Sequence, residues 1–168
     1  MTAKSEREDP EPKILTKMKR LILLVCLLVV ALPSMAQSYI YKGKSTFSSD
    51  IKYIVKDKCI YRGNHTYSKD IQYSFDGIHL YKGNSKLKAD ILLTYDGEYI
   101  YRGDSKYSSD ILYTFDGRYL YSGKSKYSKD ILLTFDGEYV YGGKSTYTSD
   151  IVYTIKGDIP IVFIVMLL

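Results

Sequence analysis

A unit of twenty residues, typified by Tyr99 to Arg118 (YIYRGDSKYSSDILYTFDGR), recurs six times between Tyr39 and about Asp158 without a slip in register. A strict period of this kind restricts the chain to folds in which like units pack on like units, with the two ends treated specially. Within one unit, Asp110-Ile-Leu-Tyr-Thr-Phe115 and Arg118-Tyr-Leu-Tyr-Ser122 are rich in aromatic and branched residues and carry no helical stripe, so both read as strands. Asp116-Gly117 stands between them, a pair suited to a two-residue type I′ hairpin turn. Asp-Gly fills four of the six equivalent places (Asp76-Gly77, Asp96-Gly97, Asp116-Gly117 and Asp136-Gly137), and the turn chemistry weakens at Lys56-Asp57 and Lys156-Gly157. A second glycine follows each second strand, from Gly43-Lys44 to Gly143-Lys144, in the order a type II′ turn asks for. A Ser/Tyr segment such as Ser125-Lys-Tyr-Ser-Lys129 then leads into the next Asp-Ile strand. Two reversals per unit predict an antiparallel meander.

Pairing across a two-residue turn sets Tyr113 opposite Leu120, Phe115 opposite Arg118 and Ile111 opposite Ser122 on one side of the sheet. That side carries Ile51, Ile71, Ile91, Ile111, Ile131 and Ile151 and is expected to be the buried one. At ~1.5–3 kcal/mol per large side chain buried, about four per repeat suffice to hold the fold without cysteine or metal. The other side is expected to present Thr114, Tyr119, Tyr121 and their counterparts to solvent. The predicted fold class is therefore all-β: a six-unit, 20-residue antiparallel β-hairpin repeat array over residues 37–158, with a C-terminal apolar cap at 159–168. A β-solenoid is the alternative. Its coils would stack ~4.8 Å apart and line up Asp50, Asp70, Asp90, Asp110, Asp130 and Asp150 in one like-charge ladder, which hairpins relieve. The cap, Ile159-Pro-Ile-Val-Phe-Ile-Val-Met-Leu-Leu168, falls short of the ~20 residues of a helical span and suits a strand or plug buried on both sides.

Ahead of the repeats, Met18-Lys19-Arg20 opens an apolar run from Leu21 to Leu32, followed by Pro33-Ser34-Met35-Ala36. A basic start, a short apolar core and a small residue at the cut describe a secretory signal peptide over residues 18–36, leaving Gln37 as the mature N-terminus. Residues 1–17 then read as an upstream extension with Met18 as the true start, the alternative being a long n-region. The expected location is periplasmic, cell-surface or extracellular. The leader removes six of the 24 Lys+Arg and four of the 19 Asp+Glu, so the mature chain carries 18 against 15. That excess is too small to argue for nucleic acid, which needs a concentrated basic face. Cys26 leaves with the leader, and Cys59 alone forms no internal disulfide.

Asp-Gly followed by Tyr-x-Gly (Asp116, Gly117, Tyr121, Gly123) is similar to the MORN repeat, a hairpin array used for membrane and protein contacts. The twenty-residue period with paired aromatics also resembles choline-binding cell-wall repeats, although tryptophan is absent here. Both resemblances span about 120 residues, rest mostly on turn chemistry, and imply a secreted or surface hairpin-repeat fold more than a function.

Three sets of residues are candidates for chemistry. Tyrosine fills one column in every unit (Tyr41, Tyr61, Tyr81, Tyr101, Tyr121, Tyr141), and a second column holds Tyr39, Tyr99, Tyr119 and Tyr139. Flat rings with polar tips among Lys and Arg suit stacking on a polymeric ligand such as cell-surface glycan, although tyrosine is also an ordinary half-buried strand residue. The aspartate before each isoleucine supplies one carboxylate per unit. That is thin for calcium, and capping of backbone N–H groups is the expected role. Cys59 and His79 replace tyrosine in successive units and would adjoin only in a parallel coil. No nucleophile–base arrangement or phosphate loop stands out, and the expectation is a binding protein without enzyme activity, metal or cofactor. A structural or self-assembling surface protein is the second expectation.

Overall fold

The computed structural model describes residues 37–168, so the expected leader and upstream extension lie outside the described residues. Twelve strands follow in pairs: β1 (Ser38–Lys42), β2 (Ile51–Lys56), β3 (Cys59–Arg62), β4 (Ile71–Phe75), β5 (His79–Lys82), β6 (Ile91–Tyr95), β7 (Tyr99–Arg102), β8 (Ile111–Phe115), β9 (Tyr119–Ser122), β10 (Ile131–Phe135), β11 (Tyr139–Gly142) and β12 (Ile151–Lys156). Every strand pairs antiparallel with its neighbours in sequence, and β12 returns to β1 with Ile40 opposite Ile155 and Tyr41 opposite Thr154. The hairpin array is thus present and closed into a barrel, which removes both sheet edges.

The hairpin turns differ from the expectation. Phe115 pairs with Leu120 and Tyr113 with Ser122, so the Asp-Gly turns close over four residues, with the Asp116 N–H donating to the Tyr119 carbonyl at 3.2 Å. The register moves by two residues, which leaves each side chain on its expected face because the side-chain period of a strand is also two. The two-residue form occurs only where Asp-Gly is missing. Lys56 pairs with Cys59, and Asp57 and Lys58 take φ of 51° and 63°, the paired positive values of a type I′ turn.

A second departure changes a face. On the other side of each unit Ile100 pairs with Tyr113 but Tyr101 pairs with Ile111, so Leu112 is an extra residue in a β-bulge. The bulge recurs in every unit and turns the isoleucine column toward the tyrosines of the outer wall. Ile51 and Ile71 accordingly pack with Tyr61, away from the main core.

The main core lies inside the barrel. Ile40, Ile60, Leu80, Ile100, Leu120 and Val140, one from each unit, are fully buried and share a cluster with the C-terminal segment. Eight strands already leave an interior just wide enough for wall side chains to fill, so a twelve-strand wall needs further filling. The chain supplies it. Gly157 turns at φ +85° where an added Cβ would collide with Ser38, and the segment enters the barrel as a short helix, α1 (Ile161–Val165). All five helical residues are buried, and Phe163 meets Phe75 edge-on with ring centroids 6.2 Å apart. The expected apolar cap is therefore a plug, helical where a strand was the other possibility.

Candidate functional site

The long connections that follow the odd-numbered strands to β11 leave one rim of the barrel, while the Asp-Gly turns occupy the other. Each long connection folds back on the outer wall rather than projecting from the rim. The Thr114 hydroxyl, on a fully buried residue, donates to the Gly123 carbonyl at 2.8 Å, and Thr94, Thr134 and Thr154 hold Gly103, Gly143 and Gly43 at 2.7 Å. The Gly123 N–H donates in turn to the Leu112 carbonyl at 2.8 Å. The outer wall is covered as well as the inner one.

This covering decides the fate of the first tyrosine column. Tyr41, Tyr61, Tyr81, Tyr101, Tyr121 and Tyr141 point outward from the sheet, yet only 6–8 % of each is exposed. Their expected presentation to solvent is corrected by that burial. Four of the phenol tips are occupied too. The Tyr81, Tyr101, Tyr121 and Tyr141 hydroxyls donate to Asp76, Asp96, Asp116 and Asp136 at 2.9, 2.7, 2.8 and 2.6 Å.

Each of these aspartates organises its turn. Asp116 Oδ1 accepts the N–H groups of Arg118 at 2.9 Å and Tyr119 at 2.7 Å, while Oδ2 takes the Tyr121 hydroxyl. The sequence reading saw the Asp-Gly pair as a source of positive φ; its aspartate is instead the acceptor at the centre of a clasp. Partial burial opposes the Asp76 charge, but the N–H groups of His79 and Ile78 and the Tyr81 hydroxyl outweigh it and bring the carboxyl down to about 2. The clasp pushes the phenols the other way. The bond to Asp96 and then burial raise Tyr101 to about 12, and burial followed by the Asp116 bond raises Tyr121 to about 12.

Tyr39, Tyr99, Tyr119 and Tyr139, the second column, are half-buried and keep an accessible edge. Tyr119 stacks edge-on to Tyr121 at 6.1 Å, with the Arg118 guanidinium 5.3 Å from its centroid.

The most exposed large side chains lie elsewhere. Phe47, Tyr67, Leu87, Tyr107, Tyr127 and Tyr147, one in each folded-back connection, are 60–77 % exposed. Sequence reasoning passed over them as parts of a connector. Their signal was present in the same twenty-residue period: a large ring or leucine set among serine and lysine, without the apolar neighbours at two-residue spacing that mark a buried strand.

The aspartate column before each isoleucine helps to fix this ring of residues. Asp110 accepts the Ser105 hydroxyl at 2.5 Å, and the same oxygen of Ser105 accepts the Tyr107 N–H at 3.2 Å. The pattern repeats with Ser45, Ser85, Ser125 and Ser145. The aspartate's partner is a serine, not the backbone N–H that was expected. In the second unit His65 replaces serine and stacks on Tyr67 at 5.4 Å.

Cys59 and His79 have different surroundings. Cys59 is buried, its Sγ 4.0 Å from Asn84 Oδ1, and burial and the Asp57 charge push its thiol up. His79 stands 3.4 Å from Asp76 and 3.5 Å from Asp104. Among the described residues, no group of three or more His, Cys, Asp or Glu is placed to hold a metal ion. No helix among them is long and apolar enough to cross a membrane.

The model of a family described as "6-fold beta flower protein" matches residues 40–166. No curated protein and no solved structure matches the chain.

Proposed function

The chain belongs to the 6-fold beta flower family, and on that scaffold we propose an exported, non-enzymatic protein that binds a polymeric ligand, with cell-surface glycan as the first class. One observation carries the reading: six large side chains, four of them tyrosine, stand exposed at equivalent places around the barrel. Exposed rings repeated at a fixed step offer regularly spaced stacking places to a repetitive ligand. Tyrosine rings suit the apolar faces of sugar rings, and their hydroxyls with the neighbouring lysines suit the equatorial polar groups. The half-exposed edges of Tyr99, Tyr119 and Tyr139 extend the same surface, whereas Tyr41, Tyr61, Tyr81, Tyr101, Tyr121 and Tyr141 support it from beneath. Likeness to MORN and choline-binding repeats in turn chemistry favours the same contact role. Export rests on the basic-then-apolar segment at residues 18–36, and mass spectrometry of the secreted chain should find Gln37 at its N-terminus.

A glycan array tests the ligand class. Signal lost on Tyr107→Ala with Tyr127→Ala, in a chain that keeps its melting temperature, is the expected result. A second reading, self-assembly through the same ring, is favoured by Phe47 and Leu87, which carry no hydroxyl for a sugar. It predicts oligomers in light scattering that dissociate with the same substitutions and no array signal.

A further inference from the structure

The grooves where a turn meets the folded-back connection of the following unit differ in charge. Where Glu98 and Tyr99 meet the fifth connection, Lys126 Nζ bonds Glu98 Oε1 at 2.7 Å and neutralises the groove. At His79, Asp104 takes Lys88 at 2.8 Å and faces the imidazole at 3.5 Å. The next groove is open. A hollow of about 290 Å³ is lined by Arg118, Tyr119, Lys144, Ser145 and Tyr147, with Thr134 at its floor. Arg118 lies over the Tyr119 ring, and Lys144 Nζ reaches only the Ser128 hydroxyl at 2.9 Å. Among the described residues no carboxylate forms an ion pair with either cation. Thr134 has its hydroxyl committed to Gly143, so the floor offers neither charge nor a free donor.

We infer that this groove is an acidic-sugar subsite, which takes a uronate-type pyranose ring against Tyr147 and its carboxylate between Arg118 and Lys144. The inference rests on the glycan reading and names the ligand class of one place on that surface. A guanidinium meets a carboxylate through two parallel N–H donors, a match that a neutral hydroxymethyl group does not reproduce. Tyr147, 76 % exposed, supplies the flat face beside them. This groove thus stands beside a neighbour in which Glu98 replaces Arg118 and Lys126 closes an internal ion pair.

Calorimetric titration of the full chain with trigalacturonic acid and with its neutral methyl ester tests the assignment. The acid should bind at least tenfold more tightly than the ester at low salt, and Arg118→Gln should erase that difference while leaving ester binding in place. Equal affinity for acid and ester, or a preference that survives Arg118→Gln, overturns the subsite while the glycan reading stands if Tyr147→Ala still weakens both. Binding of neither saccharide, with no array signal for any other glycan, overturns the subsite together with the reading it rests on.

Discussion

The inner and outer walls of this barrel are both dry, and they achieve it by different means. The inner wall is apolar in every unit and is sealed by shape, with Phe163 and its neighbours in α1 occupying a lumen that twelve strands cannot fill. The outer wall carries hydroxyls and carboxylates and is sealed by hydrogen bonds, four of its six tyrosines clasped by an aspartate and four of its connections pinned by a threonine. A wall sealed by shape can lose one contact only by opening a cavity. A wall sealed by paired polar groups can spare a pair, and it leaves the outermost layer of side chains free for contacts.

Substitutions on each wall should separate the two modes. Phe163→Ala has the largest expected effect, a loss of about 3–5 kcal/mol for a fully buried phenylalanine, read from the urea midpoint. Tyr121→Phe, which removes one bond to a carboxylate and keeps the ring, should cost about 1.5 kcal/mol in the same measurement. Thr114→Val keeps the shape but leaves the Gly123 carbonyl without its donor, for about 1 kcal/mol. Tyr107→Ala should change stability by less than about 0.5 kcal/mol, as an exposed position away from any clasp.

The clasps also give the outer wall a pH dependence of its own. Asp76 is depressed in the folded chain to about 2, so its contribution is present above the ordinary carboxylate value and is lost as pH falls from about 4 toward 2. Tyr101, Tyr121 and Tyr141 are raised to about 12, so theirs is complete below pH ~10 and disappears as pH climbs toward 12. Urea midpoints should fall in both windows. Tyr121→Phe should flatten the alkaline fall, whereas Phe163→Ala should lower the curve without changing its shape.

Much of the fold was legible because the repeat says the same thing six times. Strand identity, antiparallel order and the apolar filling role of residues 159–168 follow from periodicity and turn residues alone. Closure does not, since it depends on the small rotation between units, which no single unit encodes. The isoleucine column was assigned to the wrong wall because a bulge at Leu112 changes the phase of the strand, and a bulge of this kind leaves no glycine to mark it. The tyrosine columns were legible as columns but not as clasped ones. Whether Tyr101 is open or covered depends on the connections folding back, a tertiary event fixed by Thr94 and Gly103, which lie nine residues apart. The exposed ring at Tyr107 was hidden by the opposite bias, that an aromatic matters most within a strand.

The division between clasped and open tyrosines is tested most directly by nitration of the native chain with tetranitromethane, mapped by mass spectrometry. Tyr67, Tyr107, Tyr127 and Tyr147 should be modified first, with Tyr61, Tyr81, Tyr101, Tyr121 and Tyr141 protected until the chain unfolds. Early modification of Tyr101 and Tyr121, with Tyr107 and Tyr127 spared, would contradict the account and return the recognition surface to the strands.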